Sequence, residues 1–248
     1  MISLENISVT FGKNTPLQHT VFNKFNLQIK SGEFVTVIGG NGAGKSTLMN
    51  ILSGETLVDN GSIILDSIDV TNCLVHQRAH LISRVFQDPL LGSYADLTIE
   101  ENLSLAYSRG QKRTMQIALN NKLREYFKEK LCCIGLGLEN RLSNQMGSLS
   151  GGQRQAVSLI MATMQPSKIL LLDEHTAALD PKMERLILDL TQKLITEQQL
   201  TALMITHCMS QALEFGTRTL VLYQGAIVKD LKNQERDNLE AHDLITFF

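Results

Sequence analysis

The sequence predicts an α/β fold with a mostly parallel central sheet, an N-terminal antiparallel β region and an inserted helical subdomain. Three observations predict it. Short apolar runs rich in β-branched residues alternate with helical patterns at both ends of the chain. Phe34 to Ile38, Ile169 to Leu172 and Leu203 to Ile205 are continuously apolar, the pattern of central strands covered on both faces, so one shared sheet is expected. From Thr98 to about Gln165 no strand pattern is evident, and Met115, Leu119, Leu123, Phe127 and Leu131 recur every four residues, the stripe of an amphipathic helix.

Taken in order, Ile2 to Phe11 and Phe25 to Ile29 alternate with a two-residue period, as half-buried antiparallel strands do. Phe34 to Ile38 follows as a buried strand, and a helical run ends near Ser53 with Gly54 as its cap. Gln153 to about Met164 reads as a helix. Asp180 before Pro181 is a helix start, continued by an apolar face of Met183, Leu186, Ile187, Leu190 and Leu194. Thr219 to Tyr223 and Ala226 to Val228 flank Gln224-Gly225 as a hairpin. No repeat or low-complexity segment interrupts this order. The expected division is one domain over 1–248, with a core of about 1–88 and 166–248 and a helical subdomain at about 89–165.

Composition excludes several classes. With 43 % hydrophobic and 19 % charged residues the chain of 248 is an ordinary globular sequence, not a disordered one. Lys plus Arg at 23 against Asp plus Glu at 25 gives no reason to expect nucleic acid as a partner. No apolar run approaches the ~18 to 20 residues of a membrane span, and Met1 to Thr10 lacks a secretory layout, so a cytoplasmic chain is expected. Cys73, Cys132, Cys133 and Cys208 have no Cys-x-x-Cys spacing and are expected to be reduced, buried thiols.

Two strings carry phosphate and metal chemistry. Gly39-Gly40-Asn41-Gly42-Ala43-Gly44-Lys45-Ser46-Thr47 lies between the buried strand and a helix, with the spacing of a phosphate-binding P-loop. Its glycines let backbone N–H groups wrap a phosphate at the positive end of the helix dipole. At that spacing Lys45 is expected to reach the β- and γ-phosphates and Ser46 to bind Mg²⁺. Ile169 to Leu172 then delivers Asp173 and Glu174 at the strand end where parallel sheets bind ligands, Asp173 suited to Mg²⁺ and Glu174 to a base. A third string, Leu149-Ser150-Gly151-Gly152-Gln153, offers a second anion-binding helix terminus on the same chain.

Here the sequence resembles the ATP-binding cassette (ABC) ATPases, whose signature LSGGQ lies after the phosphate loop and before the Asp-Glu strand, as in this chain. The resemblance runs from Phe11 to about Val228. It implies a P-loop NTPase core binding ATP and Mg²⁺, with Gln87 in the glutamine loop that senses the metal or the water. It also implies His207 as the switch histidine that orients the attacking water, and Asp180 in the D-loop that joins two halves of a dimer. Phe11 stands where the family stacks an aromatic ring on adenine, usually Tyr; an ordinary strand-end Phe is the alternative. His175 replaces the family's usual Pro and is expected to face solvent in a loop.

In this family the phosphate loop of one chain and the LSGGQ of another close on one ATP, which accounts for two anion sites on each chain. The resemblance therefore implies a head-to-tail dimer with a second copy, an integral-membrane permease and a substrate-binding protein. It implies a location on the inner face of the membrane and a function as the ATPase of an importer of a small solute such as an amino acid. A soluble ABC ATPase of an iron-sulfur-assembly type is the alternative. Residues 87–105 are the expected permease dock, with Leu90, Leu91, Tyr94 and Leu97 either lining it or packed internally. Seven Lys/Arg against two Glu between Tyr107 and Lys130, including Arg109, Lys112 and Arg113, form either a solvated face or one turned to the anionic leaflet.

Overall fold

The computed structural model describes residues 1–110, 119–232 and 234–247. Its first half runs β1 (Ile2–Phe11), β2 (His19–Ile29), β3 (Phe34–Gly39), α1 (Lys45–Ser53), β4 (Asn60–Leu65), β5 (Ile68–Asp69), α2 (Val75–Arg78) and β6 (Ile82–Val85). The helices α3 (Ile99–Tyr107), α4 (Asn121–Cys132) and α5 (Gly151–Thr163) follow. The chain then returns to the sheet through β7 (Ile169–Asp173), α6 (Pro181–Gln198), β8 (Thr201–Ile205) and α7 (Met209–Glu214). It continues with β9 (Arg218–Tyr223), β10 (Ala226–Lys232), α8 (Gln234–Asp237) and α9 (Ala241–Ile245).

The three continuously apolar runs do share one sheet, of order β10-β9-β3-β8-β7-β6, parallel except for the β9–β10 hairpin. Its two faces separate by residue parity, as a strand's two-residue period demands. Ile169, Leu171, Leu203 and Ile205 pack toward α1, whereas Leu170, Leu172, Ala202 and Met204 join the cluster containing α5 and α6. A second, antiparallel sheet, β2-β1-β4-β5, closes over the α1 face. The alternation in β1 is broken at Glu5-Asn6, where Asn6 adopts φ 52° and the register slips between Leu4 and Ile7. Asn tolerates that left-handed conformation, and the resulting bulge returns Ile7 and Val9 to the core. Strands β4 and β5 escape a reading by periodicity because β4 opens on exposed polar residues and β5 is two residues long.

No strand occurs among the described residues between α3 and α5 apart from an isolated bridge, Thr98 to Gln145. Of the four-residue stripe, Phe127 and Leu131 are fully buried and Leu119 and Leu123 pack against the same cluster, while Met115 lies outside the described residues. That cluster runs unbroken from these helices into the sheet, so α3 to α5 share the core of β7 and β8. The cysteines are free, but Cys132, Cys133 and Cys208 are exposed and Cys73 half-buried, against the expectation of buried thiols. In α4 the apolar stripe faces elsewhere, leaving Cys132 and Cys133 beyond Leu131 on the open side.

The last segment, unreadable by motif, packs against the end of β3, β9 and α7. Leu244 of α9 is fully buried against Ile38, Ala212 and Val221. Arg236 of α8 donates to the carbonyls of Ala212, Leu213, Phe215 and Gly216, satisfying the open C-terminal end of α7.

Candidate active site

Gly39 ends β3 with no room for a side chain, since a Cβ would lie 2.5 Å from the Leu222 carbonyl oxygen of β9. The β9–β10 turn braces the loop from the same side. Gln224 and Gly225 both have positive φ, 47° and 74°, as a two-residue hairpin turn requires. The Gly225 N–H donates to the Ala43 carbonyl at 3.1 Å, and a side chain at Gly225 would overlap the Val21 carbonyl oxygen. By contrast a Cβ at Gly40 or Gly42 would meet nothing within 4 Å. The loop is thus fixed behind and open in front at the N-terminus of α1, where backbone N–H groups can receive an anion. Asn41 and Ser46 are exposed on it and Thr47 half-buried.

Lys45 is 6 % exposed and donates to the Gly39 and Gly40 carbonyls at 2.7 and 3.1 Å. Burial lowers its pKa from the ordinary lysine value, while the charges of Glu174 and Asp173 pull the other way. An ammonium held on loop carbonyls, near two carboxylates, is the cation an incoming triphosphate would draw out.

Asp173 pairs with Ile205 in the β7–β8 register, and the Glu174 N–H donates to the Ile205 carbonyl at 3.1 Å. Glu174 itself sits at φ 46°, a left-handed turn immediately after the strand that swings its side chain away from that of Asp173. The His207 Nε2 lies 2.6 Å from the Glu174 Oε1, so β7 and β8 bring the expected base and switch histidine into one pair. They line a cavity of about 290 Å³ together with Thr206, Glu184 and Gln211. Gln211 donates to Glu184 and accepts from Thr206, and the Thr206 Oγ1 accepts the Cys208 N–H at 3.0 Å, which fixes the loop carrying His207.

One residue of the site is not legible in the sequence. Arg84 lies within the apolar segment Leu81 to Phe86, yet its Nη2 donates to the Asp173 Oδ2 at 2.6 Å. The available signal was a single charge in a short, mostly apolar strand, and nothing in the linear order says which group it meets. His175 also departs from expectation: it is 2 % exposed, with Nε2 3.1 Å from the Thr191 Oγ1 of α6. The chain turns inward directly after Glu174, so the ring packs behind the site instead of facing solvent, and burial lowers its pKa from 6.5 to about 4.

Ser150 caps α5, its Oγ accepting the Gln153 N–H while the Gln153 Oε1 accepts the Ser150 N–H at 3.2 Å. The two signature glycines differ. A Cβ on Gly152 would overlap the Met183 side chain, whereas one on Gly151 would meet nothing. Gly152→Ala should therefore lower stability by about 1 to 3 kcal/mol through overpacking, and Gly151→Ala should leave it within about 0.5 kcal/mol, as thermal unfolding will read. The Asp180 Oδ1 accepts the Met183 N–H at 3.1 Å and so starts α6. Gln87 is exposed beyond β6, and Phe11, 43 % exposed, ends β1.

Beside β6 opens a cavity of about 460 Å³ whose walls include Arg84, Phe86, Tyr94, Leu105 and Arg109. Of the four apolar residues expected there, Tyr94 lines it; Leu90 and Leu91 are exposed beside it and Leu97 is half-buried. Arg109 is not free for a leaflet: it donates to the carbonyls of Ala162 in the last turn of α5 and of Gln165 just beyond it. Arg124 is likewise engaged, with Glu100 at 2.7 Å. Lys112 and Arg113 lie outside the described residues.

The sequence model of the ABC transporter family matches residues 22–177, which include the phosphate loop, the signature and both carboxylates. The chain belongs to the ABC transporter family. It is 42 % identical over 248 residues, all of this chain and 98 % of the relative, to the tyrosine transport ATP-binding protein of Clostridioides difficile. It is 34 % identical over 221 residues, 89 % of this chain and 90 % of the relative, to the thiamine import ATP-binding protein of Shigella sonnei. The fold superposes with a TM-score of 0.80 on a dimeric ATP-binding cassette in a post-hydrolysis state bound to ADP and Pi, at 31 % identity, covering 94 % of this chain and 98 % of that one. The cassette is accordingly an ATP-binding subunit with ATPase activity. Among the described residues no helix is long and apolar enough to cross a membrane.

Proposed function

We propose that the cassette energises uptake of a small solute, an amino acid such as tyrosine, through a separate membrane permease that receives its substrate from a binding protein. The observation that carries this is the end-to-end similarity to a tyrosine transport subunit. The cassette then works at the inner face of the membrane, as a head-to-tail dimer of two copies. The 460 Å³ groove beside β6 is the dock for the permease, because exposed Leu91 and Tyr94 extend its apolar wall. The iron-sulfur-assembly alternative finds no support among the transport and import relatives.

In this reading the amides of Gly40 to Gly44, with Asn41 and Ala43, hold the phosphates, and Thr47 completes the first turn of α1. Lys45 leaves the loop carbonyls for the β- and γ-phosphates. Phe11 offers its exposed ring to adenine. From the other copy, Ser150, Gly151, Gly152 and Gln153 close on the γ-phosphate, with Asp180 at the dimer seam. The residues fit Mg²⁺ by their chemistry: the Asp173 carboxylate, the exposed Ser46 hydroxyl in the first turn of α1 and the exposed Gln87 amide are all oxygen donors, and Mg²⁺ is typically held by one or two carboxylates plus phosphates and water. No cluster of three His, Cys, Asp or Glu suited to a metal occurs among the described residues. Bound there, Mg²⁺ would neutralise charge on the phosphate oxygens. Glu174 accepts the proton of the attacking water while His207, paired with it, holds that water and the γ-phosphate in line.

Gentle purification of the tagged chain from solubilised native membranes tests the reading. A multi-span protein recovered in equal amount is the expected result. Recovery from the soluble fraction alone, bound to a soluble scaffold, would overturn it.

A further inference from the structure

Strand β6 forms one edge of the central sheet and carries a guanidinium in register with apolar Leu171 of β7. The Arg84 Nη1 donates to the Asn50 Oδ1 of α1 and to the Glu55 Oε1 just beyond it, both at 2.9 Å. Its Nη2 donates to the Asp173 Oδ2 at 2.6 Å, and its Cζ lies 4.8 Å from the centre of the Phe86 ring. Both members of the Asp173 pair are largely withdrawn from solvent, with side chains 10 % and 16 % exposed.

Burying such a pair brings little net stability, because desolvation offsets the attraction. What it brings is orientation. A planar guanidinium clamped on three sides holds a carboxylate in one rotation, as a flexible ammonium does not. The other oxygen of Asp173, Oδ1, accepts no hydrogen bond among the described residues, and Oδ2 is taken. The same fork ties that carboxylate to α1, the helix whose first turn carries Ser46.

We propose that Arg84 is a positioning residue for the metal: it fixes the rotation of the Asp173 carboxylate, reserving Oδ1 for Mg²⁺, and sets its distance from α1. The inference rests on the reading of Asp173 as a metal ligand. Partners that orient a metal-binding side chain without touching the metal commonly contribute 10- to 100-fold in affinity.

The test uses the full chain carrying Glu174→Gln, so that ATP is not turned over, and reads Mn²⁺ binding in the presence of ATP by electron paramagnetic resonance. ATP affinity is measured in parallel with all divalent metal chelated. Arg84→Met should weaken Mn²⁺ binding by about 10- to 100-fold while leaving metal-free ATP affinity within about twofold. Arg84→Lys, which keeps the charge and loses the fork, should show most of the same loss, and it decides the matter if Arg84→Met does not fold. Mn²⁺ affinity unchanged in the Arg84 variants, beside a clear loss in Asp173→Asn, would overturn the inference alone. An equal loss of metal-free ATP binding would also overturn it, since a general disturbance of the site then suffices. If Asp173→Asn itself binds Mn²⁺ normally, the reading of Asp173 falls and this inference with it.

Discussion

Replacing Glu174 by Gln should lower ATP hydrolysis by about 10³-fold, within the range that a positioned general base contributes. The geometry makes the variant close to isosteric: the Gln amide can still reach His207, which lies 2.6 Å from the Glu174 Oε1, and the left-handed backbone at φ 46° is kept. Binding of ATP should survive, because the phosphate loop and Lys45 are untouched. If hydrolysis normally removes the anion holding two copies together, the variant should accumulate as an ATP-bound dimer. Size-exclusion chromatography with ATP and Mg²⁺ checks this, and a monomer under those conditions would count against the two-copy mechanism.

The second large effect concerns acid. His175 is buried and neutral, its pKa lowered from 6.5 to about 4 by desolvation. In the unfolded chain the ring regains its ordinary affinity for protons, so above about pH 6.5 both states are neutral and stability is fully present. As the pH falls from there toward 4, the unfolded chain binds a proton that the folded chain does not, and stability is lost; below that the loss levels off. The whole shift corresponds to about 3 kcal/mol, which for a chain of this size is roughly 6 to 12 °C in Tm. Thermal unfolding of the parent and of His175→Gln between pH 7 and pH 4 separates this contribution from that of the carboxylates. The parent should lose more than the variant by about that amount, and parallel profiles would refute it.

Much of the candidate site was legible because it is written in short strings. The phosphate loop, Asp173-Glu174 and the LSGGQ each place their groups through local backbone geometry: a glycine turn, a strand end, a helix cap. The sequence offered Glu174 and His207 separately; their pairing follows from β7 and β8 being neighbours, an adjacency that the continuously apolar pattern of both strands supports. Arg84 was illegible for the opposite reason. Its meaning lies in a bond to a residue 89 positions away, and no local pattern records a contact of that kind. His175 misled because a polar residue in a motif-rich loop reads as exposed, whereas burial depends on Thr191 of α6 closing over it.

The sequence by itself determined the class of fold, the family and the chemical groups available, since periodicity, turn residues and motif spacing are local properties of the chain. Only the tertiary structure decided how those groups are held. It put Gly225 behind Ala43, Arg84 on Asp173, Arg109 at the end of α5 instead of facing a leaflet, and the C-terminal segment against α7. Each of these is a contact between distant segments, set by which apolar faces share a core and by the requirement that polar groups buried with them find partners.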